Sequence, residues 1–282
     1  MMAFLDRKEP TLDLGEDIPE TAEDQRIFRA PRRAPTGDLT RNIRKIQSRD
    51  ELDRIRRKLD LSTATFEAVS VELLSGGGPL LDDGNIAAAM HSLFDFEPVG
   101  AMTPHPVILV GGSQDARMRA ALALSQRIER AGRRIALYSF RNGDIAGAQA
   151  TYRGGIDILH IGTIEGCIDA VRVSEPAELA IVEACCLDDA ERMTTSLPML
   201  TLSLNAEAIY VDDGETPIPD AAHLGGVERI ILSGRQRAER FGTVLDAAYR
   251  YGWAFAGQCS VHGVWHPVTP GMLADRFALA VR

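Results

Sequence analysis

Apolar positions along the chain change their period near Pro98. Before it, Leu39, Ile43 and Ile46, then Leu52, Ile55 and Leu59, then Phe66, Val69 and Leu73, then Ile86, Met90 and Leu93 recur at helical spacing. Ser48-Arg49-Asp50-Glu51 reads as a capping box for the second run, and Ser62 as the N-cap of the third. Gly76-Gly77-Gly78-Pro79 ends that helix, and Asp83 opens a fourth. Segment 39–98 therefore predicts a helical bundle whose short helices need one another and the next domain for stability. After Pro98-Val99-Gly100, strand-sized apolar runs at 106–110, 134–139, 156–161, 179–185, 199–204, 208–212, 229–233 and 253–257 alternate with helical segments at 115–131, 144–153, 163–172, 236–251 and 270–281. Continuous apolar runs mark strands buried on both faces, so 99–282 predicts an α/β domain with a mostly parallel sheet flanked by helices. Within segment 115–131, Ala121, Leu124 and Ile128 hold core spacing and Gly132 supplies a left-handed cap.

Residues 1–38 lack this periodicity. Proline recurs there, and an acidic half (Asp13, Glu16, Asp17, Glu20, Glu23, Asp24) precedes a basic half (Arg26, Arg29, Arg32, Arg33), which predicts a disordered charged tail. The formal net charge of -9 argues against broad attraction to nucleic acid or anionic lipid, so a nucleic-acid partner is not expected. The apolar runs are far shorter than a membrane span and the first residues lack the pattern of a secretory signal; a cytoplasmic protein without an integral membrane segment is the expectation. Cys167, Cys185, Cys186 and Cys259 show no C-x-x-C spacing, and neither a disulfide, a metal site nor a cofactor is expected.

Chemistry concentrates in the stretch Val107-Ile108-Leu109-Val110-Gly111-Gly112-Ser113-Gln114-Asp115-Ala116-Arg117-Met118, which leads through a helix to Arg134-Ile135-Ala136-Leu137-Tyr138-Ser139. Buried strand, glycine turn, helix and second strand make one βαβ unit. It resembles the opening of the G domain in GTPases of the signal recognition particle class, which includes FlhF. Those proteins read G-x-x-x-x-G-K-[S/T] at this turn: glycines let amides wrap the phosphates, the lysine reaches the terminal phosphates, and the hydroxyl holds magnesium. Here Gly111 keeps the first glycine, while Ala116, Arg117 and Met118 take the later glycine, lysine and hydroxyl positions. The resemblance implies a P-loop-NTPase-like sheet with an N-terminal helical bundle, and a degenerate P-loop at Gly111, Gly112 and Arg117 as the one candidate nucleotide contact. For Arg117 two readings stand open: an anion attracted to a helix N-terminus, or a solvated arginine after a glycine turn.

Downstream the frame again outlasts the motifs. The family's D-T-Y-R stretch corresponds to Arg141-Asn142-Gly143-Asp144, with both charges inverted, and its D-T-A-G to Glu183-Ala184-Cys185-Cys186. Its guanine-reading T-K-x-D corresponds to Ser233-Gly234-Arg235-Gln236, where a glutamine amide offers one acceptor instead of a carboxylate's two. Ala254-Phe255-Ala256-Gly257-Gln258 resembles the family's closing loop, and 268–277 its terminal helix, which packs back on the bundle. The expectation is a catalytically inactive relative acting as a protein-interaction or scaffold module, with an SRP-type GTPase or a flagellar or polar factor as partner. The rival is an α/β enzyme or nucleotide-binding protein using other residues at strand ends: Asp144, His160, Glu183, Asp212, Asp213, His262 and His266, the last two flanking Trp265.

Overall fold

The computed structural model describes residues 46–76, 79–100, 103–140, 149–153, 156–174, 178–184, 187, 190–219, 224–234 and 238–281. The tail, the first expected helix apart from Ile46, Arg141 to Asp144, Cys185, Cys186, Arg235 and Gln236 lie outside them.

Three helices come first: α1 (Ile46–Leu59), α2 (Thr63–Ser75) and α3 (Asp83–Leu93). Ser48 lies inside α1, so the expected capping box does not start a helix there. Ser62 does cap α2, accepting from the Thr65 amide, and Asp82 rather than Asp83 caps α3 by accepting from the Gly84 and Asn85 amides. The α/β part follows as β1 (Val107–Val110), α4 (Gln114–Arg130), β2 (Arg134–Phe140), β3 (Gln149–Arg153), β4 (Ile156–Ile161), α5 (Ile164–Val173), β5 (Glu178–Ala184), α6 (Ala190–Leu204), β6 (Glu207–Asp212), β7 (Val227–Ser233), α7 (Ala238–Tyr251), β8 (Ala254–Cys259), β9 (Trp265–His266) and α8 (Pro270–Val281).

The strands form one sheet in the order β3-β4-β2-β5-β1-β6-β7-β8-β9. The strands from β4 to β8 run parallel, and only the edge pairs β3–β4 and β8–β9 are antiparallel. Alternate residues of the parallel strands serve two cores. Ile108, Val110, Val182, Tyr210, Ile230 and Phe255 face the helices α1 to α3 and α5 to α8. Val107, Leu109, Ile181, Ile209 and Ile231 face α4. That double burial is why these strands read as unbroken apolar runs.

Two segments differ from the sequence reading. The run expected as a strand at 199–204 is the end of α6: Leu197, Leu200 and Leu204, at helical spacing, are buried, whereas Met199 and Leu202 face outward. Tertiary burial of one helical stripe overrides the local alternation of Met199-Leu200-Thr201-Leu202-Ser203-Leu204 and tolerates Pro198 inside the helix. The helix expected at 144–153 is, over its described part, strand β3, paired antiparallel to β4 with Arg153 opposite Ile156. Two residues, Gly154-Gly155, separate that pair in the sequence, which is hairpin chemistry.

The leading helices are docked by contacts that only particular residues allow. Asp246 of α7 accepts from the Ser62 amide at 2.8 Å and its hydroxyl at 2.9 Å. At Gly242 of α7 a Cβ would sit 1.6 Å from the Leu59 carbonyl oxygen, so only glycine lets α7 approach the end of α1. On α8, Leu273 and Phe277 are fully buried in the core shared with α1 to α3. Beyond α3 the chain runs extended along β8, with the Glu97 amide donating to the Phe255 carbonyl and the Val99 amide to the Ala256 carbonyl.

Candidate functional site at the carboxyl edge of the sheet

Strand order fixes where a ligand crevice can lie. From β1 the chain crosses through α4 to β2 on one side, whereas from β5 it crosses through α6 to β6 on the other. The connections diverge above β1 and β5, the switch point at which open parallel sheets bind ligands.

The loop leaving β1 is short. Gly111 and Gly112 have φ of +75° and +52°, and α4 starts at Gln114. A Cβ on Gly111 would fall 2.1 Å from the Tyr210 ring, and one on Gly112 2.5 Å from the Val211 carbonyl oxygen, so both the backbone conformation and the space require glycine. Ser113 caps α4 by accepting from the Ala116 amide, and its own amide donates to Asp213 Oδ2 at 2.6 Å. Gln114, Asp115 and Ala116, where a phosphate-wrapping loop would continue, are already helix.

Arg117 projects into the crevice from the first turn of α4. It is fully buried, which settles against the solvated arginine of the sequence reading. Its Nε donates to Glu183 Oε1 at 2.9 Å, and its Nη1 to the carbonyls of Gly111 and Gly112, both at 2.7 Å. Glu183, at 0 % exposure near the end of β5, accepts at its other oxygen from the Ser139 hydroxyl of β2 at 2.8 Å. Register makes this possible, since Glu183 lies opposite Leu109 of β1 on one side and Ser139 of β2 on the other. The glycine turn thus offers carbonyl acceptors to a resident cation, the reverse of a loop whose amides point at an anion. Buried charges persist only when paired and hydrogen-bonded, and the Nε and Nη1 arms of this guanidinium meet both conditions.

Asp213, just past β6, ties the loop from the other side. Besides the Ser113 amide it accepts the amides of Glu215 at 2.9 Å and Thr216 at 2.7 Å, and the Thr216 hydroxyl at 2.9 Å. Burial raises its pKa, but these bonds outweigh burial and hold the carboxyl at about 2. A carboxyl lowered in the folded state contributes stability that is complete above its ordinary value of 3.8 and lost as pH falls through about 2. Carbon-13 NMR titration of the Asp213 carboxyl should give a midpoint near 2; an ordinary midpoint would remove it as the anchor of this loop.

The other strand-end candidates lie at several places, one of them beside the network. His160 is buried at the end of β4, where it pairs in register with Ser139. Asp212 is buried at the end of β6 and acts electrostatically on Arg276 of α8, whose pKa is lowered by burial and raised in part by that carboxylate. His262 and His266 are exposed in the hairpin after β8. Cys167 and Cys259 are buried, and burial pushes their thiols up to about 12 and about 11, so neither is a ready nucleophile. Ser139 is the site residue that sequence reasoning missed: a lone serine ending an apolar strand carries no signal until its neighbour in the sheet is known.

Among solved structures, FlhF complexed with GTP and Mg²⁺ is similar over 82% of this chain and 98% of that chain, at 11% identity and a TM-score of 0.57. The 54 kDa protein of the signal recognition particle from Aeropyrum pernix K1, in complex with GDP, is similar over 82% of this chain, at 16% identity and a TM-score of 0.60; the chain spans 62% of that protein. The cell division protein FtsY from Thermotoga maritima matches 82% of this chain and 87% of its own, at 13% identity and a TM-score of 0.57. The fold is that of the SRP-type GTPases. No family model and no curated protein matches the sequence. Within this SRP-type fold the switch-point crevice holds the Arg117–Glu183–Ser139 network. No described helix is long and apolar enough to cross a membrane.

Proposed function

We propose that this chain is an SRP-type GTPase-like protein that neither hydrolyses nor depends on nucleotide and works as a protein-interaction or scaffold module. The observation that carries this reading is the buried Arg117 guanidinium, bonded to Glu183 and to both glycine carbonyls in the crevice. Its support is chemical. A phosphate needs amide donors, and the turn presents acceptors; a metal-assisted reaction needs an oxygen ligand where the thioether of Met118 stands, and an acidic residue free to act where Glu183 is held by Arg117 and Ser139. The partner in this reading is a protein, either an SRP-type GTPase or a flagellar or polar factor. FlhF among the similar structures makes flagellar placement the process to examine first, on fold analogy.

One experiment with two readouts tests it. The purified chain is mixed with the SRP-type GTPases of its own cell, and gel filtration and phosphate release are followed together with magnesium present. The expected result is no phosphate release from GTP or ATP by this chain alone, and co-elution with one partner whether or not nucleotide is added. Turnover that co-purifies with the chain and disappears in Glu183→Gln would overturn the reading.

A further inference from the structure

A second recess lies away from the switch point. Between the later half of α4 and the turn joining β8 to β9 is a cavity of about 440 Å³, within the range of small-molecule sites. Arg127 and Arg130 of α4 line it, together with Trp265, Val264, Gly100 and Gly263. At a rise of about 1.5 Å per residue, Arg127 stands roughly 15 Å along the helix from Arg117, so this is a separate place on the molecule.

The geometry points to a binding site here for a small phosphate ester, gripped by Arg127 and Arg130. The two residues are exposed and three apart on one helix, which sets their side chains side by side. Among the described residues neither guanidinium has a hydrogen bond or an ion pair. Like charges at that spacing repel, and an anion between them relieves the repulsion. Their position near the carboxyl end of α4 gives each a favourable interaction with the helix dipole. The dipole accounts for basic residues at a helix end but not for two unpaired ones converging on a cavity in a chain of net charge -9.

The rest of the wall suits the organic part of such a molecule. Trp265 is 8% exposed and Val264 50%, giving an aromatic and an aliphatic surface, and the Trp265 indole nitrogen is buried without a hydrogen-bond partner. At Gly100 and Gly263 a Cβ would meet nothing within 4 Å, so the backbone leaves open space beside the arginines. Guanidinium forks match phosphate oxygens two at a time, which favours phosphate over a single carboxylate.

Titration calorimetry with phenyl phosphate and with inorganic phosphate tests the assignment, on the full chain and on the surface variant Arg127→Gln/Arg130→Gln. Phenyl phosphate should bind one site per chain with sub-millimolar affinity and more tightly than inorganic phosphate, and the double variant should bind it at least about tenfold more weakly. Saturable binding absent up to about 10 mM, or unchanged in the double variant, would overturn it. GTP also carries phosphates: affinity for it that vanishes in the double variant belongs to this cavity, and affinity that survives there belongs to the switch point and counts against the proposed function instead.

Discussion

Replacing Arg117 by alanine should cost the protein about 3–5 kcal/mol, because it strands a fully buried carboxylate. Glu183 would keep its hydrogen bond from Ser139 and lose its counter-charge, and the carbonyls of Gly111 and Gly112 would lose the donor that now satisfies both. For a domain of this size each kcal/mol lowers Tm by about 2–4 °C, so a fall of about 10 °C is expected. Arg117→Lys should recover part of the loss, since an ammonium keeps the charge but cannot span a carboxylate and two carbonyls with one rigid fork. The pair Arg117→Met with Glu183→Leu should recover most of it, because removing both partners leaves no uncompensated charge. Urea unfolding with an unchanged slope is the measurement. A loss below about 1 kcal/mol for Arg117→Ala would mean that the ion pair contributes no more than a surface contact.

This site was half legible in the sequence. Arg117 falls on the buried stripe of α4, at the spacing that carries on through Ala121, Leu124 and Ile128. Glu183 interrupts the apolar run of β5, where a neighbour on either side is buried. Each is a charge at a core position, and a buried charge requires a partner. Reading Arg117 against the P-loop alignment instead drew attention to an anion from outside and away from a carboxylate in the strand that neighbours β1 in the sheet. What the chain alone could not supply was adjacency: β1, β2 and β5 become neighbours only through the strand order, and Ser139 enters only through its register with Glu183.

The fold was more legible than the site. Core periodicity identified the parallel strands β1, β2, β4, β5, β6, β7 and β8 and the helices α4, α5, α7 and α8, because burial on both faces or along one stripe leaves a strong pattern. The two misread segments are those where local pattern and tertiary burial disagree. At 199–204 an alternating hexapeptide is bent into a helix by the core leucines, and at Gln149–Arg153 an alanine- and glutamine-containing stretch is drawn into a hairpin with β4. Edge pairing of this kind depends on a partner strand, which periodicity within one segment does not encode.

In the proposed function the switch-point crevice, occupied by the chain's own arginine, takes no nucleotide. For a triphosphate to enter, Arg117 must leave Glu183, the glycine turn must reverse the carbonyls it now points inward, and the first turn of α4 must open. Breaking the ion pair alone costs about 3–5 kcal/mol, and at 1.4 kcal/mol per factor of ten that weakens any affinity by at least about a hundredfold. Gln236, at the position the resemblance assigns to guanine readout, adds no base preference to set against that cost. Titration calorimetry of GTP, GDP, ATP and ADP with magnesium, at low and at moderate ionic strength, is the direct measurement. No saturable heat at the crevice is expected with any of the four at moderate ionic strength. Micromolar or tighter magnesium-dependent binding with a clear preference for guanine, retained in Arg127→Gln/Arg130→Gln, would contradict it.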